Sequence, residues 1–128
     1  MSLAIKPRII VGFPVSRDDF RDADDKPTAV AEAYAKRYDI SPRKAWDVAL
    51  QRHVHCVDPV YGWDHCPPAR YAMGTLLAIA EAWDPDEPEA VSAGRGEVTH
   101  AVRDAESMQE AFGLRGTIQV YASVEVVP

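Results

Sequence analysis

With 128 residues, 47% of them hydrophobic and 27% charged, the chain is long enough for one globular domain spanning 1–128 to bury a core without disulfide or metal staples. Twenty acidic against 14 basic side chains give a formal charge of −6, which excludes nucleic-acid binding by backbone neutralisation, a mode that needs a basic stripe. No segment has the apolar length of a bilayer span, and the N-terminal MSLAIKPRIIVGFP is broken by Lys6 and Arg8, so a cytoplasmic protein with no membrane partner is expected.

The run RIIVGF, Arg8 to Phe13, is β-branched and closed by Gly12 and Pro14, which predicts an early strand buried on both faces. The acid-rich stretch from Ser16 to Thr28 reads as a loop pinned by Phe20. Its aspartates lack the glycine and terminal glutamate of a calcium loop, so they read as a solvated charge run. Thr28 is placed to cap a helix from Ala29 to about Tyr38, with Val30, Ala33, Tyr34 and Arg37/Tyr38 turned inward. Ser41-Pro42 starts a second helix, PRKAWDVALQRHV. On it Ala45, Trp46, Ala49, Leu50 and His53 share one face, which makes His53 a satisfied core histidine before it is a ligand.

Turn formers fill the stretch from His55 to Pro67, and Pro68 to Trp83 then forms the longest apolar-rich segment, expected to be the central helix. Gly74 within it suits close approach of another backbone. Asp84-Pro85 ends that helix and DPDEPEAV begins a short one. The turn SAGRGE follows, then a possible strand at Val98–Val102, and then a helix capped by Asp104 and stopped by Gly113, with Met108, Ala111 and Phe112 inward. TIQVYASVEVV, Thr117 to Val127, alternates strictly and is the clearest strand, with Ile118, Val120, Ala122, Val124 and Val126 on its apolar face. Its expected neighbour is the strand at Ile9–Gly12. The expected architecture is therefore α+β, about four helices packed on a small, mainly antiparallel sheet that contains the N- and C-terminal strands.

The chemically dense stretch is QRHVHCVDPVYGWDHCPPAR, Gln51 to Arg70, which holds three of the four histidines and both cysteines. His55, Cys56, His65 and Cys66 form a candidate soft-ligand set for zinc or iron, although the separation of the cysteines is wider than that of a zinc knuckle. A thiol-dependent reading takes Cys66, before Pro67-Pro68 at a helix start, as nucleophile, with His65 or His100 as its base. The cysteines also suit two buried small hydrophobes, or a disulfide in an exported protein. Tyr61, Trp63 and Arg70 are candidate interaction residues, because large aromatics in a turn-rich loop either roof a core or meet a partner. With no tight catalytic motif, the leading expectation is a small binding or adaptor protein that uses the 55–67 loop against a protein partner or its own copy. A metal-dependent or cysteine-dependent enzyme built on the same loop is the alternative.

Overall fold

Two glycines fix the centre of the sheet. Gly12 and Gly74 lie opposite each other on adjacent antiparallel strands, and a Cβ on either would fall 2.0–2.1 Å from a carbonyl oxygen of the facing strand. Only glycine permits that approach. The computed structural model describes residues 4–61, 70–79 and 95–127.

The elements in chain order are β1 (Ala4–Val15), α1 (Ala29–Tyr38), α2 (Ala45–Arg52), β2 (Val54–Cys56), β3 (Val60–Tyr61), β4 (Tyr71–Ile79), α3 (Arg95–Phe112) and β5 (Gln119–Val127). Short 3-10 turns occupy Arg17–Asp19 and Pro42–Lys44. The architecture is α+β, and the first and last long strands pair antiparallel from Ala4↔Val127 to Gly12↔Gln119.

Local chemistry accounts for most element ends. The Thr28 hydroxyl accepts from the Ala31 amide at 3.3 Å to start α1, and Asp39 ends it in the left-handed region at φ 53°. Phe20 is fully buried and anchors the acidic loop, as expected of its one large apolar side chain. The second helix divides into a 3-10 turn at Pro42–Lys44 and α2 proper, which stops at Arg52 with His53 as its C-cap. Gly113 adopts φ 70° directly after α3.

Several expectations fail. The segment expected as the central helix, Pro68–Trp83, is instead strand β4 over Tyr71–Ile79. Ala72 and Met73 are fully buried within it, and an inner strand covered on both faces reads as a continuous apolar run that periodicity cannot separate from a buried helix. The possible strand at Val98–Val102 lies inside α3, whose buried stripe of Ala101, Ala105 and Phe112 continues straight through it. Asp104 is accordingly a mid-helix residue rather than a cap, and Ala111 is exposed. The described residues therefore hold three α-helices where about four were expected. The short helix expected from Asp84 lies outside the described residues, as does the start of the turn expected at Ser92–Glu97, whose Arg95, Gly96 and Glu97 instead open α3.

The sheet order is β2-β4-β1-β5-β3, antiparallel except for the short parallel pairing of β3 with β5. Consecutive strands β2 and β3 thus occupy opposite edges. In a flat sheet those edges stand about 19 Å apart. Four residue steps, Cys56 to Val60, reach only about 14 Å when fully extended. The sheet must curl, and residues 57–59 form a strap across it. Arg8 and Ser123, in register on β1 and β5, hold this strap: the Arg8 guanidinium donates to the Cys56 carbonyl at 3.4 Å and the Ser123 hydroxyl to the Asp58 carbonyl at 3.0 Å.

The helices cover the other face, where Phe13 and Met73 join Tyr34, Trp46, Ala105 and Phe112 in the main core. On β5 the exposure pattern inverts the expectation. Ser123 is buried beneath the strap, whereas Val120 on the apolar face is 58% exposed and Ala122 is also exposed.

Candidate functional site

The strap brings part of the dense Gln51–Arg70 stretch onto the strand pair β1–β5, and its stem is closed by a tight set of bonds. The Val57 amide donates to the Arg70 carbonyl at 2.9 Å. Asp58 accepts from the Arg70 amide at 2.8 Å and from the Arg70 guanidinium at 2.8 Å through both Nε and Nη2. These hydrogen bonds, side chain first and backbone second, hold the Asp58 carboxyl below its ordinary range. Arg70, an expected interaction residue, is thus the clamp of the loop it ends, while its side chain stays 79% exposed.

Cys56 ends β2 half-buried, and its thiol donates to the Asp58 carbonyl at 3.6 Å. His55 precedes it on the same strand, so the imidazole and the thiol leave opposite faces of the sheet. Burial lowers the His55 pKa, nearby Arg8 adds to that, and a bond to the Gly74 backbone acts against both. Tyr61 enters β3, which pairs with β5 at Val126. Trp63, His65 and Cys66 lie outside the described residues, and so does the Cys66-Pro67-Pro68 helix start. His100 stands on α3 with its side chain 78% exposed, its Nε2 3.5 Å from Asp104 Oδ2. Among the described residues, no group of three or more His, Cys, Asp or Glu side chains is arranged to hold a metal ion.

His53, expected as a core histidine on the helical face, is half-buried at the C-cap of α2 and hydrogen-bonded. Its Nδ1 shares a 2.8 Å hydrogen bond with the hydroxyl of fully buried Tyr34, and the Tyr38 hydroxyl lies 3.5 Å from Nε2. Tyr34, Tyr38, His53 and Phe112 form one ring cluster, with the contacting centroids 4.7–6.2 Å apart. Burial, followed by the charge of Arg52, lowers the His53 pKa, and burial pushes that of Tyr34 up to about 12.

Two concavities flank these groups. A groove of about 420 Å³ runs where β1, β5 and the strap meet, with apolar walls from Pro7, Ile9, Val57, Pro59, Ala122 and Val124. Arg8 and Ser123 also line it, the same two residues that hold the strap. The second, of about 430 Å³, opens between the end of α2, strand β4 and α3, and shares no lining residue with the groove. Sequence reading missed both, since their walls come from strands and helices far apart in the chain. The one available signal for the groove was Arg8, a charge beside an otherwise apolar strand. No family model, curated protein or solved structure matches the chain.

Proposed function

We propose that the protein is a small protein-binding adaptor that docks its partner through the β1–β5–strap groove and the adjoining 55–67 loop. The observation that carries this reading is the groove itself, a mostly apolar concavity whose wall, at Val57 and Pro59, is the first part of that loop. The apolar side chains Val120 and Ala122 extend the same strand surface into solvent, where a lone monomer gains nothing from them. Tyr61 and Trp63 follow directly on the strap and supply the aromatic anchors that dominate binding energy at protein interfaces. The formal charge of −6 favours a partner that flanks its apolar anchor with basic side chains, and disfavours a second copy of this acidic chain.

The test is the affinity of the partner copurified with the full chain, measured by calorimetry for wild type, Trp63→Ala and Ala122→Glu. Either substitution is expected to weaken binding by tenfold or more, about 1.4 kcal/mol, with the circular dichroism spectrum unchanged. Equal affinities for all three proteins would remove both the groove and the loop from the interface.

A further inference from the structure

We infer that the cavity between α2, β4 and α3 is a binding site for a small zwitterion of the amino-acid class, carrying a carboxylate, an ammonium group and an apolar side chain. It is lined at opposite charges by Arg52, from the last turn of α2, and Asp104, from the middle of α3. Among the described residues Arg52 forms no ion pair, and the Asp104 carboxylate, 46% exposed, has His100 at 3.5 Å as its one ion-pair partner. Both charges line the cavity wall, where a ligand can meet them.

The remaining lining narrows the chemistry. His53 has its ring nitrogens turned to Tyr34 and Tyr38, so it forms wall rather than donor. His55 is half-buried, and burial favours the neutral form of both imidazoles. The site then presents one cation and one carboxylate. A simple anion gains from Arg52 but is repelled by Asp104, and a simple cation meets the reverse, whereas a zwitterion is attracted by both. The Thr75 hydroxyl adds a polar contact, and Leu76 and Met108 give an apolar surface for a side chain. A volume of about 430 Å³ lies within the range of small-molecule sites.

The experiment is calorimetric titration of the full chain at neutral pH with leucine, N-acetyl-leucine and leucinamide. Leucine is expected to bind, and each capped compound, lacking one of the two charges, to bind at least tenfold more weakly. Arg52→Gln and Asp104→Asn are each expected to weaken leucine binding by a similar factor with the melting temperature preserved. Asp104→Asn should also narrow the gap between leucine and N-acetyl-leucine, because the repelling carboxylate is gone. Equal binding of the capped compounds, leucine binding unchanged in both variants, or no heat with leucine at millimolar concentration overturns the inference. None of these outcomes touches the groove on β1 and β5, which shares no residue with this cavity.

Discussion

The Tyr34–His53 pair illustrates how one half-buried hydrogen bond ties α1 to the end of α2. Tyr34→Phe removes the hydroxyl 2.8 Å from Nδ1 and leaves that half-buried nitrogen without this partner. The expected cost is about 1–2 kcal/mol in urea denaturation. Acid acts on the same region. Burial holds His53 and His55 below the ordinary value of 6.5, so between their folded values and 6.5 the unfolded chain binds more protons than the native one. Their contribution is fully present above pH 6.5 and is lost as the pH falls through that window. The midpoint urea concentration should therefore drop on acidification, and His53→Gln with His55→Gln together should flatten the dependence; an unchanged slope in the double variant would refute the assignment. The burial of His53 was legible from its place at three- and four-residue spacing with Ala49 and Leu50. Its tyrosine partners were not, because helix α1 meets it through tertiary packing alone. Trp63, His65 and Cys66 lie outside the described residues.

At the scale of elements, glycine decides the centre of the sheet. Gly74→Ala puts a Cβ 2.0 Å from the Val11 carbonyl, and backbone on the facing strand cannot give way without parting the β1–β4 pair. The predicted destabilisation is about 3 kcal/mol. Gly96→Ala, in the first turn of α3 with nothing within 4 Å, is instead predicted to stabilise by about 0.5 kcal/mol. Chemical denaturation of the two variants reads both signs at once. This contrast also shows where pattern reading works. The strict alternation of β5 and the Thr28 cap of α1 are local signals, and both elements lie where they were expected. For β4 the local signal is ambiguous: ARYAMGTLLAIA is rich in alanine and leucine, good helix formers, and its strand state is imposed by pairing with β1 on one side and β2 on the other. Gly74 marked the close backbone approach correctly even though the element around it was misread.

For the whole molecule, the decisive fact is that β2 and β3 sit on opposite edges of one sheet and are joined by three residues. That connection forces the curl, carries the strap over β1 and β5, and places the stem of the 55–67 loop beside the groove. No helix among the described residues is long and apolar enough to cross a membrane. The pairing of the terminal strands was legible because two apolar strands near the chain ends have few other neighbours. The curl was not, because it depends on strand order rather than on strand content. The Asp58–Arg70 clamp is predicted to keep the loop closed at its base: Asp58→Ala should increase the rate of limited proteolysis within residues 59–69 without a comparable change at α1 or α3. Equal cleavage of variant and wild type would show that the strap holds without the clamp. The docking role of the groove is tested most directly by site-specific photo-crosslinking of the partner-bound protein, with a photoreactive side chain at Val124 in the groove or at Lys36 on the exposed side of α1. Efficient crosslinks to the partner are expected from position 124 and none from position 36; crosslinks from position 36 with none from 124 would contradict docking in the groove.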